Sequence, residues 1–427
     1  MDDPAVSALR EARRALDEVV AEIQRVPGFE DFLATPTFDD VARAAGEQPL
    51  AYVAAAEHGG LALVVRGDNV THVDLPALGR EQVDTLTRRY LDGYAAFREN
   101  PGRNRAGWNA TLADTTSWLW PRLMEPLLSE LSGADAVTLV PGGPLGLLPL
   151  HAAGRPDASR PTGREHALDR LAISYAPNAR SLSASRAAAR RIPGRRVLAV
   201  ATPGGHGERT GLALALALHE ARAACAAFPD GGTVLDRDLT IGTVTAAMST
   251  ADVVHFACHA AADLAVPLES GLTLADGQVL TVRELMGMNL RVRLAVLSAC
   301  ETLVPGRELP DEVVALPTGL IQAGAAGVIA SLWAVPNLES ALLMVEFYGR
   351  WRAGATGPAQ ALRDAQRWVR DTQESEKIAR YEAAADGLDE WPPAAVADAL
   401  LDEFAQAEPV SGPTDLVGWA AFAHVGV

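Results

Sequence analysis

The sequence is poor in cysteine and contains no segment typical of a secretory signal. Its three cysteines among 427 residues, none of them in a CxxC pair, argue against a disulfide framework and against a zinc ribbon. The first ten residues, MDDPAVSALR, lack the basic region and apolar core of a signal peptide. We therefore expect a cytoplasmic protein in which each thiol serves either packing or reactivity.

The chain also lacks an excess of positive charge. Its net charge is −17, whereas binding to nucleic-acid phosphates depends on clustered Lys and Arg that release counterions. We expect no direct nucleic-acid partner. Residues 313–335 carry no charge and are long enough to span a bilayer, but Pro317, Gln322 and the AGAAG stretch at 323–327 divide them into a helix, a turn and a strand. We expect no membrane span.

What the chain does have is apolar residues, 48% of the total, which suffice for a folded core. Residues 4–25 have helical periodicity, and residues 1–45 form a predicted N-terminal helical segment, either the stub of a repeat array or the docking point for a separate activator. Residues 46–190 form a predicted α/β subdomain that begins with a small antiparallel sheet between residues 50 and 78. No internal repeat of 20 to 50 residues is present.

Residues 191–427 alternate short apolar strands with helices, which predicts a mostly parallel sheet covered on both faces. Residues 373–415, which contain WPP and SGPTD, interrupt this alternation and are predicted to be an insertion. The stretch GWAAFAHVGV supplies a last strand. The predicted strands of this half have the sequences RVLAVAT, GTVLD, DVVHFAC, RLAVLSA and GVIASLW.

Reactive side chains follow two of these strands. The strand in VVHFACHA leads to His259, and the strand in RLAVLSACET leads to Cys300 after one loop-and-helix crossover. The carboxyl ends of parallel strands carry the active sites of open α/β sheets. A thiol becomes a good nucleophile when a nearby imidazole takes its proton or stabilises the thiolate. The spacing is therefore compatible with a Cys/His dyad, although strands also end in these residues for packing reasons.

A metal site in the same stretch is a weaker alternative. His255 and His259 on one strand would place their rings some 13 Å apart, at about 3.3 Å per residue, which is too far for one tetrahedral ion. The HExxH signature is absent because Phe256 occupies the glutamate position. We expect no metal and no cofactor.

The other two cysteines are better explained by packing. Cys258 alternates to the sheet face opposite the expected partner of Cys300, and Cys225 lies in an alanine-rich helix. Cys300 is therefore the candidate nucleophile.

The motifs around these residues resemble the CHAT domain, a caspase-like module often attached to tetratricopeptide repeats. The resemblance is carried by HFACHAAADLAVPLESGLTLADG, LAVLSACET, LPDEVVALPTGLIQAGAAGVIASLWAVPN, ALRDAQRWVR and GWAAFAHVG, and upstream by LVPGGPLGLLPLHAA and ISYAPNARSL. It covers residues 115–427 strongly and 20–115 weakly. It implies an α/β, caspase-like fold with a mostly parallel sheet flanked by helices, preceded by an N-terminal helical and small-sheet subdomain. The implied relatives are caspases, metacaspases, separase and gingipains.

The resemblance also assigns catalytic roles. Cys300 would attack the scissile carbonyl, and His259 would polarise it or act as acid and base toward the leaving amine. The backbone N–H groups of Ala260 and Cys300 would form the oxyanion hole. This family usually carries glycine at the position of Ala260, and an alanine keeps the donor while restricting φ.

Three further residues would contact substrate by the same resemblance. Ser298, two residues before the cysteine, would line the first substrate pocket. Asp311 and Glu312 lie where the family carries acidic residues near the cleft. They would either stabilise a helix N-terminus or recognise a basic residue before the cleaved bond.

The implied function is a cysteine endopeptidase that cleaves a protein or peptide substrate in a bacterial defence or programmed-death pathway, under the control of a protein activator or regulatory partner. Two alternatives remain open. One is a catalytically silent caspase-like scaffold that only binds, and the other is acyl transfer to a small molecule by the same dyad. The oligomeric state is not predicted.

Overall fold

The computed structural model describes residues 4–27, 32–160, 162–202, 216–228, 231–261, 266–298, 316–352, 356–406 and 414–427. Contacts within the chain divide it into two units, residues 1–41 and residues 42–427.

The first unit contains helix α1 (Pro4–Ile23) and the start of α2 (Phe38–Ala45). After α1, the Gln24 side chain donates a 2.7 Å hydrogen bond to the carbonyl of Phe32. Thr37 caps α2, because its backbone N–H and hydroxyl both donate to the Asp40 carboxylate and its hydroxyl accepts from the Asp40 N–H. Helices are thus confirmed in the predicted helical segment.

The strands are confined to the second unit in the described part of the chain. They are β1 Leu50–Ala56, β2 Gly59–Arg66, β3 Asn69–Leu75, β4 Ala136–Pro141, β5 Gly154–Pro156, β6 Arg164–His166, β7 Ala172–Tyr175, β8 Val197–Ala201, β9 Gly232–Leu235, β10 Val253–Ala257, β11 His259–Ala261, β12 Gly271–Thr273, β13 Val279–Thr281, β14 Leu294–Leu297, β15 Gly327–Ser331 and β16 Phe422–Gly426.

The remaining α-helices of the described residues lie in the second unit. They are α3 Arg80–Glu99, α4 Pro101–Leu119, α5 Glu125–Glu130, α6 Ala167–Arg170, α7 Ala179–Arg191, α8 Ala217–Ala226, α9 Ile241–Met248, α10 Val282–Met286, α11 Leu316–Gln322, α12 Asn337–Trp351, α13 Pro358–Asp371, α14 Glu374–Ala385, α15 Ala394–Gln406 and α16 Leu416–Trp419.

Eleven of the described strands form one continuous sheet in the order β3-β2-β1-β4-β7-β16-β15-β14-β10-β8-β9. The strands β1, β4, β7 and β16 are parallel to one another, and β15, β14, β10, β8 and β9 form a second parallel set. The two sets meet where β16 pairs antiparallel with β15. The mostly parallel α/β sheet is confirmed, and it runs through both predicted subdomains. Their boundary at residue 190 stays a prediction.

The predicted antiparallel sheet between residues 50 and 78 is also confirmed. Strand β2 pairs antiparallel with both β1 and β3. The β2–β3 hairpin turns at Gly67, whose φ of 53° is a left-handed conformation that glycine adopts without a steric penalty.

Apolar cores cover both faces of the second parallel set. Along β10, Val253 and Ala257 belong to one core, whereas Val254, Phe256 and Cys258 belong to the other. Helices α8 and α12 pack on the first face, and α9, α10 and α11 contribute to the second. This alternation fixes which strand residues face α8.

The predicted insertion at 373–415 contains the helical pair α14 and α15. It is attached by buried polar contacts: the Lys377 ammonium donates to the carbonyl of Val369 at 2.7 Å, and the Trp391 indole donates to that of Val345 at 3.1 Å. Of the helices in the described residues, none combines the length and the hydropathy that a membrane crossing requires.

Candidate active site

The strands that lead to the two predicted catalytic residues are direct neighbours. β10 and β14 pair in parallel, with His255 opposite Val296 and Phe256 opposite Leu297. Their carboxyl ends therefore lie at the same edge of the sheet, as the spacing predicts. Ser298 directly follows β14. Cys300, two residues further, lies outside the described residues, as do Asp311 and Glu312.

His259 is presented by a short strand that continues from β10. After Cys258 the chain enters β11, which pairs antiparallel with β12 so that His259 is opposite Thr273 and Ala260 is opposite Leu272. Both His259 and Ala260 are partly exposed. A small three-stranded sheet, β11-β12-β13, thus holds the imidazole at the rim of the main sheet. Its catalytic role and the oxyanion-hole role of Ala260 stay predictions.

Ser298 is buried and its hydroxyl is fully engaged. It donates a 2.5 Å hydrogen bond to Oε2 of Glu220 on α8, and its oxygen lies 3.0 Å from that of Ser340 on α12. Because the single proton of Ser298 goes to the carboxyl, the Ser340 hydroxyl donates to Ser298. The end of β14 is therefore tied to two helices. Pocket lining by Ser298 stays a prediction.

Glu220, which accepts the hydrogen bond from Ser298, is not among the residues predicted from the sequence. Burial raises the pKa of its carboxyl to about 8, although the hydrogen bond from Ser298 acts in the opposite direction. A signal was present in the sequence, because Glu220 shares the buried face of α8 with Ala217, Ala221 and Ala224. A carboxylate in an otherwise apolar helix stripe needs an explanation.

His255 completes the polar cluster beneath the strand ends. Its ring is fully buried, Nδ1 lies 3.2 Å from the Tyr348 hydroxyl, and Nε2 lies 3.7 Å from Oε2 of Glu220. Burial lowers the pKa of His255 to about 3, so the ring is neutral at pH 7 and forms no ion pair with Glu220. His255 is therefore a buried core residue.

The other two cysteines are packed thiols, as expected. Cys258 is buried in the core on the face away from α8. Cys225 packs against the opposite core, and burial raises the pKa of its thiol to about 11. Burial of this kind is typical of packed cysteines rather than of reactive ones.

Comparison with solved structures finds similar chains at low sequence identity. Separase from Saccharomyces cerevisiae, in a complex with securin, is 9% identical at a TM-score of 0.60, over 91% of this chain and 30% of the separase chain. A second structure of that complex gives 10% identity and a TM-score of 0.56 over 91% and 31% of the two chains. The Arg-specific cysteine proteinase gingipain R is 10% identical at a TM-score of 0.40, over 74% and 67%.

The present chain thus spans about a third of the separase chain, and the likeness to separase shows that the fold is caspase-like. A search of curated proteins finds no match. The family model of the CHAT domain matches residues 113–427. This match covers well over half of the sequence, and the chain belongs to the CHAT domain family.

Proposed function

We propose that the chain is a cysteine endopeptidase that cleaves a protein or peptide through Cys300 and His259. The observation that carries the proposal is the parallel pairing of β10 with β14. One strand leads to His259, and the other ends immediately before Ser298, two residues from the cysteine. Membership of a family with a caspase-like peptidase fold supports the same chemistry.

The proposed reaction has two steps. The Cys300 thiolate attacks the scissile carbonyl carbon, and backbone N–H groups of Ala260 and Cys300 donate to the oxyanion. His259, which has taken the proton of the Cys300 thiol, gives that proton to the leaving amine as the C–N bond breaks, which leaves a thioester on the cysteine. In the second step His259 takes a proton from water, and the hydroxide that attacks the thioester releases the carboxylate product.

Substrate recognition is proposed to involve Ser298, Asp311 and Glu312. If the two acidic residues recognise a basic residue before the cleaved bond, Asp311→Asn will reduce cleavage after Arg and Lys in a peptide library. An unchanged cleavage profile would show that Asp311 does not recognise the basic residue, and the two acidic residues would then be explained by stabilisation of a helix N-terminus.

The biological setting is proposed to be a bacterial defence or programmed-death pathway in which a regulatory partner controls cleavage. The structure of separase with securin supports partner control by analogy, since that relative in fold was solved in a complex with another protein. Identifying proteins cut in cells that express the active chain but not Cys300→Ala would test this setting.

The central experiment labels the purified protein with a thiol-directed peptidyl probe. We expect modification at Cys300 and its loss in Cys300→Ala, while the control Cys225→Ala keeps labelling and cleavage. We expect His259→Ala to reduce cleavage by about 100-fold or more with an unchanged melting temperature. Cleavage that persists in Cys300→Ala would exclude this mechanism, and a correctly folded wild type that neither labels nor cleaves would favour the silent scaffold.

A further inference from the structure

Glu220 differs from the other buried carboxylates of the described residues in lacking an arginine. Six acidic residues are buried there, and five of them bond an arginine. These pairs are Glu165 with Arg170 at 2.9 Å, Asp252 with Arg196 at 2.9 Å, Glu339 with Arg105 at 2.6 Å, Glu346 with Arg380 at 3.1 Å and Asp415 with Arg105 at 2.6 Å. No arginine or lysine of the described residues lies within ion-pair distance of Glu220.

The described neighbours of Glu220 carry no positive charge. Its neighbours are the hydroxyl of Ser298 and the neutral ring of His255, behind which lies the hydroxyl of Tyr348. A buried carboxyl without a cation is stable only when it keeps its proton. The raised pKa of Glu220 agrees with a carboxyl that is protonated at neutral pH.

All five residues of the cluster are buried, and the least buried of them lie at one end. His255 and Tyr348 are 0% exposed, whereas Glu220 is 5% exposed and Ser298 and Ser340 are each 8% exposed. The carboxyl therefore lies at the end of the cluster that holds Ser298. That end is where β14 finishes, two residues before the proposed nucleophile.

We propose that Glu220 is a specificity-determining residue and that its carboxylate binds the cationic side chain of an arginine or lysine in the substrate. This inference rests on the proposed peptidase function, because it assigns the charge of the peptide that the site accepts. The substrate supplies the positive charge that the protein supplies to its other buried carboxylates. On binding, the carboxyl releases its proton to solvent, and the ion pair forms with a charge-assisted hydrogen bond.

The test uses the Cys300→Ala protein, so that binding is measured without turnover. The probes are the acetylated peptide amides Ala-Ala-Arg and Ala-Ala-citrulline, which differ in charge but hardly in shape. We expect the arginine peptide to bind about 10- to 100-fold more tightly. Calorimetry at pH 7 in two buffers of different ionisation enthalpy should show release of about one proton for the arginine peptide and none for the citrulline peptide.

Glu220→Gln is the decisive variant, because its amide oxygen still accepts the bond from Ser298 while the charge is lost. In the Cys300→Ala background we expect it to bind the two peptides equally and to release no proton. Asp114→Asn, which removes the charge of an exposed carboxylate on α4, is the control and should retain the preference. The inference is wrong if Glu220→Gln still prefers arginine, or if wild-type Glu220 shows no preference or no binding at millimolar peptide.

The two proposals fail separately. Charge-selective binding that depends on Glu220, in a chain whose Cys300 form never cleaves, would reject the peptidase function and leave the binding inference intact. Cleavage that requires Cys300 but is indifferent to Glu220→Gln would reject only the inference.

Discussion

The Ser298 hydroxyl donates a 2.5 Å hydrogen bond to the Glu220 carboxyl, which joins the end of β14 to helix α8. Ser340 on α12 bonds the same hydroxyl from the other side. The chain segment that leads to Cys300 is therefore anchored to two helices through one small side chain.

Removing this anchor should cost stability. We expect Ser298→Ala to lower the free energy of unfolding by about 1–3 kcal/mol, because it leaves the buried Glu220 carboxyl and Ser340 hydroxyl without their shared partner. Ser185→Ala is the matched control, since the Ser185 hydroxyl is also buried but has no hydrogen-bond partner among the described residues. Urea unfolding followed by circular dichroism should find the control unchanged or slightly more stable. Equal losses in both variants would contradict this role of Ser298.

The raised pKa of Glu220 predicts a stability effect with a definite sign. The folded chain holds this proton up to about pH 8, whereas free glutamate loses it near 4.5. Between these values the unfolded state binds fewer protons, so the contribution of Glu220 to stability is complete below pH 4.5 and is lost as the pH rises to 8. Glu220→Gln removes this dependence. We expect it to melt near the wild-type temperature at pH 5 and about 2–5 °C higher at pH 8.5.

The groups that face Glu220 do not titrate in this interval. Burial lowers the pKa of His255 to about 3, raises that of Cys225 to about 11 and raises that of Tyr348 well above its ordinary value. A melting difference that is the same at pH 5 and pH 8.5 would therefore show that Glu220 titrates normally.

The low reactivity of Cys225 and Cys258 can be tested without any substrate. In native Cys300→Ala protein we expect almost no reaction with a chromogenic disulfide reagent at pH 8, because Cys258 is buried and Cys225 is about one part in a thousand thiolate. In guanidinium chloride the same protein should react at both remaining thiols. Rapid labelling of the native Cys300→Ala protein would show that a second cysteine is accessible and reactive.

Arg105 is expected to be one of the stabilising charges of the fold. Its guanidinium contacts the buried carboxylates of Glu339 and Asp415, both at 2.6 Å. We expect Arg105→Met to lower the free energy of unfolding by about 2–4 kcal/mol, since two buried carboxylates lose their cation. The exposed pair of Arg89 with Asp114, at 3.5 Å, is the control, and Arg89→Met should cost less than about 1 kcal/mol in the same denaturant titration. Similar losses of unfolding free energy in the two variants would show that burial does not determine how much an ion pair contributes to stability.

The periodicity of apolar residues predicted the sheet well, because buried parallel strands such as VVHFA and LAVLS leave an unmistakable pattern. The same periodicity predicts a helix only from residue 111 to 132, whereas α4 begins at Pro101. The Asn100 side chain caps this helix by accepting from the Arg103 N–H. The segment NPGRNRAG has the composition of a loop, and only the cap together with proline at the first helical position shows that a helix starts there.

The strand ends and the family motifs predict the catalytic site. They do not predict the polar cluster of Glu220, Ser298 and His255 behind it. Glu220 lies in α8, far in sequence from Ser298, and the two meet only because α8 packs over β10 and α12 packs over α8. Distances of this kind depend on tertiary packing, which no local pattern records. The lack of an arginine beside Glu220 among the described residues also depends on tertiary packing, because it is the folded chain that brings arginines to the other buried carboxylates.

The position of β16 also bears on how the molecule is made. This strand, residues 422–426, lies between β7 and β15, so it connects two halves whose other strands are all synthesised earlier. While a ribosome is still translating residues before 422, those halves have no shared strand and each presents an unpaired edge. Assembly of the whole eleven-stranded sheet therefore has to follow emergence of this segment from the ribosome.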